Sequence, residues 1–115
     1  MKDRIALVIG NSDYIYVNKL NNPRNDADDI EHVLSSLNFD VRKVTDTNLI
    51  DLQQAINTFL KELDEYAVGL LFYAGHGMQI DGKNYLVPID LETCDKSKTI
   101  VSCYSVNSFL DGVSS

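Results

Sequence analysis

A histidine held between two glycines closes the stretch Gly69-Leu70-Leu71-Phe72-Tyr73-Ala74-Gly75-His76-Gly77. An imidazole with its ordinary pKa of about 6.5 takes up and returns protons near neutral pH, which suits a general base. Glycines on either side let the backbone turn sharply and let other atoms approach it. The amides of the Gly75-His76-Gly77 turn are also available to stabilise an oxyanion. The chemistry in view is base-assisted attack on a carbonyl, with His76 as the base and its nucleophile still to be found. The residue types leave a second reading open, in which His76 is a hydrogen-bonded structural histidine at a strand end.

Several other chemistries are excluded by what the chain lacks. There is no GxGxxG and no GxxxxGK[ST], so the phosphate-cradling glycines of dinucleotide and P-loop sites are missing. No GxSxG elbow presents a serine nucleophile. A receiver-type phosphoacceptor needs an aspartate where His76 ends its strand. Cys94 and Cys103 stand outside any CxxC spacing and have no nearby histidine, which argues against zinc or another metal.

The elements that would position His76 follow from periodicity. Leu70 to Tyr73 form an unbroken apolar run, expected of a central parallel strand covered on both faces. Ile5 to Ile9 form an earlier buried strand, and Phe39 to Val44 a third. A helix is expected from Asn25 to Leu37, with Ala27, Ile30, Val33, Leu34 and Leu37 at helical spacing. Asp26, Asp28 and Asp29 crowd its first turn, where the helix dipole favours anions, and on that ground Asp26 reads as an ordinary helix-start carboxylate. A second helix is expected from Leu49 to Tyr66, capped by Thr47 or Asn48. In the polar segment from Asp13 to Arg24, Tyr14 and Tyr16 are the candidate anchors.

Asp81-Gly82, between Met78-Gln79-Ile80 and Asn84-Tyr85-Leu86-Val87, signals a type I′ hairpin. Residues 91–103 read as polar loop, and Ser105 to Leu110 as the first turns of a helix. The pattern β-α-β-α-β-hairpin-(α) implies an α/β fold with a parallel sheet core and helices on both faces. Three parallel strands leave long apolar edges, and the last helix has no following strand to pack on. The chain reads as the first part of a larger domain.

The 115 residues allow one domain. With 17 acidic and 10 basic side chains and no Lys/Arg cluster, nucleic acid and anionic membranes are poor partners, and a cationic substrate is mildly favoured. Five apolar residues before Gly10 are too few for a signal-peptide core, so the cytoplasm is the expected location.

Four stretches then resemble one family in order and spacing. They are Ala6-Leu7-Val8-Ile9-Gly10-Asn11-Ser12-Asp13-Tyr14, Leu20-Asn21-Asn22-Pro23-Arg24-Asn25-Asp26-Ala27, Phe72-Tyr73-Ala74-Gly75-His76-Gly77 and Asn84-Tyr85-Leu86-Val87-Pro88-Ile89-Asp90. Together they are similar to the p20 part of a caspase-like cysteine peptidase, nearest the bacterial and paracaspase branch. The resemblance implies a three-layer α/β/α fold that these residues leave incomplete on the C-terminal side. It matches His76 to the histidine of the Cys-His dyad, and Gly77 to the glycine whose N–H helps form the oxyanion hole. It matches Asp26 to the S1 carboxylate of branches that cleave after Arg or Lys, reversing the helix-start reading. An aspartate on a pocket floor holds a guanidinium by a charge-assisted, often bidentate contact.

In caspases the nucleophilic cysteine lies about 50 residues beyond the histidine, which passes Ser115. Cys94 and Cys103 come too early, with no apolar strand leading into either. The expectation is a cysteine endopeptidase whose first part alone is inactive and needs no cofactor or metal. Its partners would be a polypeptide with a basic P1 residue and the C-terminal part or a second copy. The alternatives are a catalytically inactive caspase-like assembly module and an unrelated flavodoxin-like binding domain. The last does not explain the spacing from Asn25-Asp26 to His76.

Overall fold

The computed structural model describes residues 2–92 and 96–114. Its first strand, β1 (Lys2–Gly10), is apolar on both faces. Ile5, Leu7 and Ile9 point one way, Ala6 and Val8 the other, and all five are buried. Such a strand needs a layer on each side. On one side α1 (Pro23–Ser36) lays Ala27, Ile30 and Leu34 against Ala6 and Val8. On the other, α2 (Leu49–Glu62) brings Leu52, Ile56 and Phe59 against Ile5, Leu7 and Ile9. The strands β2 (Asp40–Thr45) and β3 (Tyr66–Ala74) pair with β1 in parallel on its two sides, in the order β2-β1-β3. The result is the expected three-layer α/β/α core.

The central position belongs to β1 rather than to the strand that leads into His76. Among the described residues β3 pairs with β1 alone, and its Val68 and Leu70 are 49% and 37% exposed. The expected burial on both faces is not met either, since Leu70 is exposed and Leu71, Phe72 and Tyr73 are only half-buried, and an unbroken apolar run does not say how many neighbours a strand has.

A second sheet follows. β4 (Gly77–Ile80), β5 (Lys83–Leu86) and β6 (Tyr104–Ser105) are antiparallel in that order. Asp81 and Gly82 both have positive φ, 52° and 78°, as a type I′ turn requires. Tyr14, Ile80, Tyr85, Val87, Leu91 and Cys103 form a separate apolar cluster.

Four expectations change. First, α1 begins at Pro23 rather than Asn25, because proline fits the first helical position and the cap is supplied from afar. Ser12 Oγ accepts the Arg24 N–H at 3.1 Å, while the Asn22 side chain makes no cap. Second, α2 stops at Glu62 and a 3-10 turn over Leu63–Glu65 leads into β3, four residues before the expected end. Its N-cap is Asn48, which accepts from the Asp51 N–H at 2.8 Å. Third, Lys96–Ser102 within the expected loop is a helix, α3. Fourth, α4 (Val106–Ser114) is not left without a packing surface. Its Phe109 stacks on Phe59 with ring centroids 6.3 Å apart, and Gly112 lies so close to Leu60 that a Cβ there would come within 2.7 Å of it.

Candidate active site

The carboxyl ends of β1 and β3 run side by side, with Gly10 opposite Ala74. Ligands of open α/β sheets bind at this end. Over Gly10 sits the start of α1, so close that a Cβ on Gly10 would lie 2.6 Å from the Pro23 carbonyl oxygen. Asp26 is therefore carried to the same end of the sheet as His76, which follows Ala74 by two residues.

His76 is half-buried, and its ring is fixed from the β1–α1 loop. Nε2 lies 2.7 Å from the Asn18 carbonyl oxygen. A carbonyl only accepts, so Nε2 carries the proton and donates it. In the neutral imidazole Nδ1 is then the nitrogen with a free lone pair. The Tyr14 ring packs against the imidazole, centroids 4.5 Å apart and planes at 60°. An open cavity of about 230 Å³ adjoins the ring, walled by Asn18, Gly77, Met78, Val87 and Leu91. A larger one, about 470 Å³, lies between β2 and α2 and touches none of the candidate residues.

The two glycines beside His76 do different work. A Cβ on Gly75 would come 2.6 Å from the Tyr73 hydroxyl and 2.8 Å from that of Tyr14, so the tyrosines exclude a side chain there. Around Gly77 nothing does, the nearest atom to a Cβ being the Tyr85 carbonyl oxygen at 3.6 Å. What matters at Gly77 is its amide. Val87 N–H donates to His76 O at 3.1 Å, a single ladder bond, since the His76 N–H goes to the Tyr14 hydroxyl. The next pair along, Gly77 opposite Leu86, is then a non-hydrogen-bonded one. Its N–H is turned away from β5.

The loop that supplies Asn18 is itself anchored by Asp46. This residue has φ 52°, and its carboxylate accepts the N–H groups of Ser12 and Asp13, both at 2.9 Å, and the Arg24 guanidinium at 3.0 Å. Burial pushes the Asp46 carboxyl up, but the two amides and Arg24 outweigh it and hold it below the usual carboxylate range. Nearby, Asn11 Oδ1 accepts from the Thr47 N–H at 2.8 Å and from its hydroxyl at 3.1 Å, tying β1 to the turn after β2.

Against this geometry, the caspase domain matches residues 3–112 of the chain. The chain belongs to the caspase-domain family. Among curated relatives it is 35% identical over 109 residues to the human mucosa-associated lymphoid tissue lymphoma translocation protein 1. The mouse homolog of that protein is also 35% identical over 109 residues. In both cases the match covers 95% of this chain and 13% of the relative, so the chain spans a small part of either relative's length.

Of the residues expected to act, this caspase-domain chain brings His76 and Gly77 to one cavity. Asp26 stands apart from it, exposed on the first turn of α1, with its amide hydrogen-bonded to Asn22 O at 2.8 Å. Cys103 is not in a polar loop but buried in the cluster with Tyr14, Val87 and Leu91, and it does not line the cavity at His76. Cys94 lies outside the described residues. Among the described residues no group of three or more His, Cys, Asp or Glu side chains could hold a metal ion, and no helix is long and apolar enough to cross a membrane.

Of two further contributors to the site, one carries no signal in the sequence and the other is partly legible. Asn18 acts through its backbone carbonyl, which every residue type possesses, so no signal existed. Tyr14 is one of the two candidate anchors of the polar segment. It is fully buried, whereas its companion Tyr16 is exposed.

Proposed function

We propose that this chain carries the base, an oxyanion donor and the specificity carboxylate of a caspase-type cysteine endopeptidase that cleaves after Arg or Lys. Residues 1–115 are then the first part of a p20-like domain, and the nucleophilic cysteine comes from a strand outside them. Nδ1 of His76 takes the proton from that thiol as sulfur attacks the scissile carbonyl carbon. The Gly77 N–H stabilises the resulting oxyanion. The Nδ1 proton then passes to the departing amine, and water hydrolyses the acyl-enzyme. Asp26 pairs with the basic P1 side chain.

The observation that carries this reading is the bond from Nε2 to Asn18 O, which fixes the tautomer that leaves Nδ1 as acceptor. Cys103 does not line the cavity beside His76, and the 115 residues alone are proposed to be inactive. The reading places the protein in the cytoplasm, without a metal or cofactor.

Profiling the natural protein, with the strand that bears the cysteine, on peptides that differ only at P1 tests this. Cleavage is expected after Arg and Lys and not after Asp, and Asp26→Ala should lower it on the order of a hundredfold or more, as for loss of a charge partner that bound substrate desolvates. An unchanged P1 profile in Asp26→Ala would remove Asp26 from the S1 pocket. Cleavage after Asp instead would overturn the specificity.

One observation favours a second reading, an inactive assembly module. Among the described residues the outer edge of β3 has no strand against it, with Val68 and Leu70 exposed, and such an edge is a template for strand addition. A concentration-dependent oligomer, together with no hydrolysis of any Arg or Lys peptide by the natural protein, would select this reading over the first.

A further inference from the structure

The ring of His76 is held by Asn18 and Tyr14, but a ring is only as well placed as the peptide that bears it. The backbone of His76 is gripped at both of its polar atoms. Its N–H donates to the Tyr14 hydroxyl at 2.8 Å, and its carbonyl oxygen accepts from the Tyr73 hydroxyl at 2.7 Å. The two hydroxyls come from opposite directions in the chain, Tyr14 from the β1–α1 loop and Tyr73 from the end of β3, and they lie 3.3 Å apart.

Proton counting assigns the roles. Each hydroxyl has one proton and two lone pairs. Tyr14 accepts from His76 N–H, so its own proton goes to Val87 O at 2.9 Å. The shortest contact of Tyr73 is to His76 O at 2.7 Å, with Val87 O a longer alternative at 3.1 Å. His76 O receives a second bond from Val87 N–H at 3.1 Å. His76 and the first residue after β5 are thereby bound into one unit through two phenols. Gly75 has no side chain because that space belongs to these hydroxyls. Burial, the largest cause, raises the pKa of both tyrosines above the ordinary value, so neither loses its proton in any ordinary working range.

We infer that Tyr14 and Tyr73 are positioning residues for His76, two phenol hydroxyls that clamp its peptide N–H and C=O so that Nε2 meets Asn18 O and Nδ1 stays open. The inference rests on the reading of His76 as the base, yet its geometry can be tested without any activity. Tyr14 has the larger share, because its ring packs against the imidazole while its hydroxyl holds the amide. Tyr73 shares its acceptor with Val87 N–H and has the smaller one.

The test is NMR of the full chain, reading the His76 tautomer by long-range nitrogen–proton correlation and the exchange rate of its backbone amide. Wild type is expected to show the Nε2–H tautomer and a protected amide. Tyr14→Phe, which keeps the ring and removes one oxygen, should mix the tautomers and speed amide exchange by about tenfold or more, as for a buried donor left without its acceptor. Tyr73→Phe should show a smaller change in the same direction. Tyr66→Phe removes a comparable hydroxyl bond, to Asp40 at 2.6 Å, and should leave both His76 signals as in wild type.

Equal behaviour of Tyr14→Phe and wild type would overturn the inference. So would a wild-type chain with the Nδ1–H tautomer or a freely exchanging His76 amide, a result that needs no variant to fold. A natural protein that cuts no peptide while its clamp passes this test would refute the peptidase reading and leave the clamp standing.

Discussion

Two regions of this chain are organised by different forces. Around β1 the core is apolar, with Ile5, Leu7 and Ile9 against α2 and Ala6 and Val8 against α1, and burial of area holds it. Around Tyr14 the second cluster is also apolar at its centre, but its margin is a set of hydrogen bonds to single atoms: Tyr14 and Tyr73 hydroxyls, Asn18 O, Val87 O and the Asp46 carboxylate. The first region sets whether the chain folds. The second sets where His76 points. A methylene lost from the first should cost global stability, while an oxygen lost from the second should cost local order at the histidine.

The largest effect is expected in the first region. Phe59 is buried between β1 and α4, and Phe59→Ala should destabilise the chain by about 3–5 kcal/mol in urea unfolding. A loss below about 1 kcal/mol would show that α2 is not seated as described. Next comes the junction of the two regions. Gly10→Ala would drive a Cβ against the Pro23 carbonyl and the Ala27 Cβ, 2.6 and 2.8 Å away, and backbone cannot easily give. About 1–3 kcal/mol of stability should be lost, with the N-terminal turn of α1 displaced, as amide shifts around Asp26 would report. Unchanged shifts would separate the two regions more cleanly than proposed.

In the second region, acid should act through Asp46. Its folded-state pKa is lowered, so the stability it contributes is present above its unfolded value of about 3.9 and is lost as pH falls through the folded value. The stability difference between wild type and Asp46→Asn should therefore shrink on acidification through that window. A difference independent of pH would remove Asp46 from the anchoring of the loop. The smallest effect belongs to the surface. Arg42 and Glu62 meet at 2.8 Å at the rim of the first region, and Glu62→Gln should cost about 0–1 kcal/mol, less at high salt.

The same division explains what was legible in the sequence. β1, the apolar faces of α1 and α2, and the Asp81-Gly82 turn all announce themselves by period or by turn chemistry. Helix ends were less visible, since the cap of α1 is a serine more than ten residues earlier in the chain. The seven residues Lys96–Ser102 show no clear apolar period, and β6 is only two residues long, so neither gave a signal. Strand order was hidden too, because the run in β3 is as apolar as that in a central strand. The candidates His76, Gly77 and Asp26 are named from residue type and resemblance, and of these His76 and Gly77 come to one cavity. The atoms that aim His76 are not named that way, because a backbone carbonyl has no residue-type signal, and the sequence shows Tyr14 only as a segment anchor and Tyr73 only as part of a strand.

The most direct test of the central claim is peptide cleavage by the whole natural protein, with the cysteine strand that the proposal requires, compared with its His76→Ala variant. Arg- and Lys-terminated reporter peptides are the substrates, and folding of the variant is checked by circular dichroism. The account predicts cleavage by wild type and a loss of at least about a hundredfold in the variant, in keeping with removal of a general base. A folded His76→Ala protein that cleaves as fast as wild type would contradict it.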